Sequence, residues 1–524
     1  MNKILILLIF LISLSLFAIN ENIRKILENP SLFENIEKLY CVNSLLTLYE
    51  ENNFEPFWTN KTIASTFIDT IGSAKYEGLD PDDYHYQYLS KNKVSSESPG
   101  LKDILLTDSF LLYANHLLSG KLNPVDLHPE WNAQKRKEDV IRLFKSSVNN
   151  KNLLSELEKT KPQTRSYFEL KKKLKYYYDL DEDITFVVSK GSLIKPGSKD
   201  KRIPEIRENL AIIEKVKLHV PEDSTLYDDE MYSILKNFQK RHGLNSDGII
   251  GDNTLSMLNL SKKERINKIR VNLERLRWMP EDYGKLYILI NLANYKLSYY
   301  RDNQFVESHN LIIGKSYRKT PVFSDRMTYL VFNPTWTVPP TILFNDIIPA
   351  VRKDRDYLKK KNIRIFKNNE VKSPEISVDD IDWTTAERKN FRYRLVQDPG
   401  PNNSLGEVKF MFPNQYNIYL HDTPDKSLFQ KEERSFSSGC LRLENPLNFA
   451  ELLLRDIPGW NMEKINNVIS TRKETTVNLK IPINVHIQYL TTWVDENGDI
   501  QFRNDIYKRD EAVAEALNKK PGKL

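Results

Sequence analysis

Two side chains in this sequence have the types needed to break and remake an acyl bond, His421 and Cys440. A thiol is a poor nucleophile at neutral pH until its proton is removed, the free group having a pKa of about 8.5. A nearby imidazole takes that proton and later returns it to a leaving amine. His421 ends a strand predicted over Ile418–Leu420. Cys440 follows a turn of small residues, Ser437-Ser438-Gly439, where a side chain is exposed on a rigid frame. Gly439 lets the backbone turn tightly and lets amide N–H groups near 439 and 440 face a developing oxyanion. The pairing alone is a modest signal. A lone Cys is more often a small buried hydrophobe, and the chain has 8 His residues, so chance pairing is easy.

Other chemistries fit less well. A zinc peptidase needs clustered ligands such as H-E-x-x-H, and His421-Asp422 has none beside it. The serine nucleophile elbow G-x-S-x-G fails because position 435 is Ser435. Gly314-Lys315-Ser316 is not a phosphate-binding loop, because His309 stands where that loop needs its first glycine. Neither a metal nor a cofactor is expected.

A chain of 524 residues implies several domains. The expected class is multidomain α+β. Residues 1–18 have the layout of a secretory signal peptide: Lys3, then an apolar run to Ala18, then Asn20, Glu21 and Arg24. Cleavage after Ala18 is favoured over a retained anchor, because a bilayer span needs about 20 apolar residues. Only a retained segment would bring the chain to a membrane, and the expected location is the periplasm. Residues 19–202 read as a helical scaffold, with apolar faces such as Leu105, Phe110, Leu111, Leu117 and Leu118 at helical spacing. Residues 203–262 form a compact unit of three helices, with a tight turn at Asp247-Gly248 and Thr254 as the N-cap of the last helix. A connecting helix follows in 263–284. From 285 to 510 the texture is that of strands, with a hairpin at Tyr299–Gln304 and further strands at Tyr329–Phe332 and Ile483–Gln488. A charged stretch at 340–400 interrupts this domain as an insertion that covers a site, and 511–524 form a C-terminal tail.

Basic residues number 77 against 71 acidic, a net charge of +6. The charges are interspersed, so nucleic acid is not an expected partner. With only two cysteines, Cys41 and Cys440, the chain is not a disulfide scaffold.

The stretch Tyr419-Leu420-His421-Asp422-Thr423-Pro424, followed by Ser437-Ser438-Gly439-Cys440-Leu441-Arg442, resembles the signature of the L,D-transpeptidase family with the YkuD-type catalytic domain. Ser438 stands where many members have a second His, as in the family's larger multidomain periplasmic branch. Thr320-Pro321-Val322-Phe323, Asn333-Pro334-x-Trp336-x-Val338-Pro339, Gln397-Asp398-Pro399-Gly400-Pro401, Phe57-Trp58 and Gly78-Leu79-x-Pro81 are similar to that branch too. Phe238-Gln239, Gly243-Leu244, Asp247-Gly248 and Gly251-x-x-Thr254-Leu255 resemble a small peptidoglycan-binding domain, although most of these residues also serve simply to fix its turn.

The resemblance implies that Cys440 is the nucleophile and His421 the base and then the acid. It implies that Tyr419, Ser437 and Ser438 position the His or the substrate, and that Arg442 holds the turn or a substrate carboxylate. The implied partners are peptidoglycan stem peptides, a donor tetrapeptide and an acceptor. The implied product is a cross-link between two diaminopimelate residues with release of D-Ala, and carbapenems are implied to acylate Cys440. L,D-carboxypeptidase activity and a catalytically silent wall-binding scaffold are the competing outcomes.

Overall fold

The structure, a computed structural model, describes residues 18–32, 37–91, 99–132, 136–150, 152–180, 186–368 and 373–524. Residues 1–17 of the signal segment expected from the sequence lie outside these. No helix among the described residues is long and apolar enough to cross a membrane. The architecture is mixed α+β and divides into two compact units.

The first unit holds the described residues from 18 to 129, from 136 to 281 and from 490 to 524. Its N-terminal part is helical, built on Val42–Glu51, Lys61–Gly72 and the long helix Pro99–Ser119. Leu45, Leu48, Tyr49, Phe67, Phe110 and Phe144 fill its core. Asp103, buried in that core, accepts hydrogen bonds from the Phe57 and Trp58 amides and the Tyr49 hydroxyl. The Phe57-Trp58 pair is therefore a structural joint. Cys41 is buried here, 2% exposed, and the Asp108 carboxylate next to it adds to burial in pushing its thiol pKa up. Such a thiol is chemically quiet.

The three expected helices are Ile203–Glu214, Asp229–Arg241 and Asp252–Leu258. The last is capped by Gly251 and not by Thr254, which lies inside the first turn and donates from its hydroxyl to the Ile249 carbonyl. Gln239, 1% exposed, clamps the tight turn by accepting from the Gly248 amide at 2.8 Å and donating to the Ile249 carbonyl at 2.9 Å. The helix Lys262–Arg277 starts with a reciprocal cap between Ser261 and Glu264. Residues beyond 489 belong with this helix. A hairpin of Thr492–Val494 and Ile500–Phe502 buries Leu490, Val494, Ile500 and Phe502 against Ile269, Leu273 and Leu276. The strand-rich unit thus stops at Tyr489 and not at 510. The expected tail from 511 instead continues the helix Asp510–Leu517, whose Val513 and Leu517 are buried.

The second unit comprises residues 130–132 and 282–489. Its strands are β1 (Trp131–Asn132), β2 (Leu286–Asn291), β3 (Lys296–Arg301), β4 (Gln304–Gly314), β5 (Val322–Phe332), β6 (Trp336–Thr337), β7 (Ile363–Lys367), β8 (Tyr393–Gln397), β9 (Val408–Met411), β10 (Leu420–His421), β11 (Ser435–Ser437), β12 (Leu441–Leu443) and β13 (Thr475–Gln488). The main sheet runs β1-β5-β13-β2-β3-β4-β12-β10-β9, and β9 pairs back onto β5 to close a ring. Closure leaves few free edges. Period-2 alternation points Leu311, Ile313, Leu330, Val408, Phe410, Leu420, Leu441 and Leu443 into the core, each no more than 0% exposed.

The inserted segment has its own small sheet, in the order β6-β8-β7, and a helical stretch interrupted by a wide turn at Leu343–Ile347. Its core gathers Trp336, Ile348, Val351, Ile365, Trp383 and Leu395. Trp383 is wholly buried and donates from its ring N–H to the Val378 carbonyl at 2.8 Å. Trp383→Ala is expected to cost about 3–5 kcal/mol, the usual range for emptying a buried tryptophan site. Denaturant unfolding measures this, and a loss under about 1 kcal/mol would contradict the core assignment.

Candidate active site

Strand β10 starts later than the sequence suggests. Residues 418 and 419 were expected in the strand, but Asn414 captures the loop before it. Its side chain accepts from the Tyr416 and Ile418 amides and donates to the Phe412 and Ile418 carbonyls. Asn417 then turns with φ +54°. Only Leu420 and His421 pair with neighbours, antiparallel to Phe410 and Lys409 in β9, and parallel to Leu441 and Arg442 in β12.

This register sets the site. Leu420 and Leu441 lie side by side and both enter the core. Side chains alternate along a strand, so the residues flanking these leucines share the opposite face. They are Tyr419 and His421 on one strand, and Cys440 and Arg442 on the other. The Leu441 amide donates to the Tyr419 carbonyl at 3.1 Å, which carries the pairing back to the cysteine. The Tyr419 and His421 rings meet edge to face at 5.7 Å. Tyr419 also packs on the core of the inserted segment.

His421 is 5% exposed. Its Nδ1 lies 2.5 Å from the Asp422 carbonyl oxygen. A carbonyl only accepts, so Nδ1 carries the proton and Nε2 keeps its lone pair. Burial holds the imidazole pKa down at about 3, and the Arg442 charge adds to this. Arg442 donates to the Thr423 hydroxyl at 3.4 Å and to the Asp425 carboxylate at 3.2 Å, so it ties down the loop that follows His421. The Asp422 carboxylate accepts from the Glu407 amide at 2.9 Å and pairs with Lys426. A side chain at Gly406 would collide with it.

The turn that carries Cys440 is braced from within. The Ser437 hydroxyl donates to the Cys440 carbonyl at 2.6 Å and accepts from the Gly439 amide at 3.0 Å. Gly439 has φ +124°, which a residue with a Cβ rarely adopts, and its carbonyl accepts from the Thr320 hydroxyl at 2.8 Å. The Gly439 amide is therefore occupied and is not a free oxyanion donor. Of the two amides expected there, the Cys440 N–H is the one left unbonded among the described residues. Ser438 is exposed, and its hydroxyl accepts from Arg318 at 2.8 Å. The Cys440 thiol is partly exposed and lies 3.7 Å from the Asn417 carbonyl oxygen. Burial pushes its pKa up to about 11, against the opposing pull of the neighbouring Tyr419 and the Arg442 charge.

Arg318 and Asn417 also meet this turn, and no motif in the sequence marks them for it. Arg318 stands two places before Thr320-Pro321 in a basic run with Lys315 and Lys319, and that run was the available signal. Asn417 contributes a backbone carbonyl, which side-chain identity does not reveal.

Both side chains are uncharged at neutral pH: Cys440 is a thiol, and His421 an imidazole whose Nε2 keeps its lone pair. This differs from a preformed thiolate–imidazolium pair, whose thiol pKa would be low. Alkylation of Cys440 by iodoacetamide, followed by peptide mapping, is expected to speed up steadily from pH 6 to pH 9. A plateau with a midpoint between about pH 4 and 7 would contradict the neutral pair.

Three family profiles match the chain: a scaffold domain over residues 43–174, a "Putative peptidoglycan binding domain" over 201–258, and an L,D-transpeptidase catalytic domain over 285–478. A protein of Haemophilus influenzae named "Putative L,D-transpeptidase" is 34% identical over 254 residues. That match covers 48% of this chain and 50% of the relative, so the alignment spans half the length of the curated protein. Among solved structures, L,D-transpeptidase 1 of Mycobacterium tuberculosis matches at 9% identity, over 39% of this chain and 60% of that one, with a TM-score of 0.15. An L,D-transpeptidase from Stackebrandtia nassauensis matches at 12% identity, over 56% of this chain and 94% of that one, with a TM-score of 0.22.

Proposed function

Because residues 285–478 match an L,D-transpeptidase catalytic-domain profile and residues 201–258 match that of a "Putative peptidoglycan binding domain", we propose that this protein joins peptidoglycan stem peptides through a thioester on Cys440. The observation that carries the reading is the shared face of Tyr419, His421, Cys440 and Arg442, set by the parallel pairing of β10 and β12. On this reading the protein works in the periplasm, where its polymer lies.

The thiol attacks the donor carbonyl at the diaminopimelate–D-Ala bond, and its proton passes to Nε2 of His421. The tetrahedral oxyanion faces the free Cys440 amide, since Gly439 is occupied by Ser437. His421 then protonates the leaving D-Ala amine, and a thioester remains. The side-chain amine of a second diaminopimelate attacks it, gives its proton to His421, and releases the cross-linked product and the thiol. Placing a neutral base beside a neutral thiol moves the proton only when the electrophile is present. Tyr419 steadies the sulfur, Ser437 and Ser438 hold the turn, and Arg442 holds the loop after the base. The 340–400 segment caps the donor groove, with Tyr419 as its link to the nucleophile.

Incubation with disaccharide tetrapeptide, followed by mass spectrometry, tests this. The expected product is a dimer one D-Ala lighter than two substrates, formed by the wild-type protein and lost with Cys440→Ala. Tripeptide alone would replace the reading with a carboxypeptidase. No product from the wild-type protein would favour a wall-binding scaffold.

A further inference from the structure

The loop between β4 and β5 carries Lys315, Tyr317, Arg318 and Lys319, three cations within five residues. It is clamped onto the nucleophile turn. The Lys315 amide donates to the Ser437 carbonyl at 3.0 Å, and the Arg318 amide folds back onto the Lys315 carbonyl at 2.9 Å. The Arg318 side chain is only 13% exposed, yet one of its terminal nitrogens serves two partners. It donates to the Ser438 hydroxyl at 2.8 Å and to the Asp346 carboxylate at 2.8 Å, while the other reaches Asp346 at 3.4 Å. Asp346 lies on the wide turn of the inserted segment and is 48% exposed. Tyr317, 72% exposed, has Lys315 and Arg318 about its ring at 5.6 and 5.7 Å.

These contacts describe a built carboxylate site with a resident occupant. A guanidinium fork matches a carboxylate in shape and charge. The fork is fixed beside residue 438, two places before the nucleophile. Its present partner is half in solvent, where an ion pair contributes little and is readily exchanged. Stem peptides are rich in carboxylates. We infer that Arg318 binds a carboxylate of the donor peptide, and that Asp346 occupies the fork until substrate displaces it. Exchange frees the inserted segment from the nucleophile turn as the peptide docks, so donor binding and movement of the cap are one event. Lys315 and Lys319 add attraction for an anionic peptide, and Tyr317 offers an exposed ring beside it. Lys319 has Glu130 at 3.8 Å, which leaves Arg318 as the better placed cation for the substrate.

This inference rests on the transpeptidase reading, and a binding experiment separates the two. Calorimetric titration of the full chain carrying Cys440→Ala would use stem tetrapeptide with free carboxylates and the same peptide with its carboxylates amidated. Adding Asp346→Asn is expected to tighten binding of the free-carboxylate peptide by about two- to fivefold, the effect of removing a weak, exposed competitor. Adding Arg318→Gln is expected to weaken it about tenfold or more. Neither change should alter binding of the amidated peptide. Asp346→Asn is the decisive variant, because a merely structural latch would give unchanged or weaker binding. That result, or an equal response with the amidated peptide, would overturn the inference and leave the transpeptidase reading standing. If the Cys440→Ala protein binds neither peptide, the donor-peptide reading fails and the inference fails with it.

Discussion

The two-residue parallel pairing of Leu420–His421 with Leu441–Arg442 is the constraint on which the site depends. It is short, but it is pinned from both sides. Leu420 and Leu441 are wholly buried, and Phe410, paired to Leu420, fills the same core. A slip of one residue would send His421 into the apolar interior and expose a leucine, since side chains alternate strictly along a strand. Burial of the leucines thus places the imidazole and the thiol on one face without any direct bond between them. The ring closure from β9 to β5 holds this narrow region rigid. Active-site groups gain from such support, because small displacements cost rate steeply.

Around that pairing, hydrogen bonds fix charge state as well as position. The Asp422 carbonyl chooses the tautomer of His421, and burial keeps the ring neutral. Arg442 plays two parts through one location. Its bonds to Thr423 and Asp425 hold the loop, and its charge disfavours an imidazolium next to it. The Ser437 hydroxyl likewise binds across the turn and so occupies the Gly439 amide.

Much of this was legible in the sequence, where identity and spacing speak directly. Helical periodicity and the Asp247-Gly248 turn were readable because burial and turn geometry act locally. The hairpin at 299–304 was readable because an alternating run meets a polar turn. Other features depend on partners distant in the chain. Asn414 shortens β10 by capturing residue 418, and nothing in the alternation shows that. Residues 490–502 look like strands of the strand-rich unit, yet their apolar side chains bury against the helix at 262–277. Arg318 is one basic residue among many until the fold brings it to Ser438. The motif of the 203–262 unit was legible as a turn, and Gln239 shows why, since its buried amide serves that turn from within.

The central claim is that the acyl group passes through Cys440. Intact-protein mass spectrometry within seconds of mixing with donor tetrapeptide, followed by digestion to the peptide spanning Ser435–Arg442, addresses it most directly. The account predicts an added mass equal to the donor peptide less its terminal D-Ala, located on Cys440. Turnover with no such adduct, or an adduct carried by another residue, would contradict it.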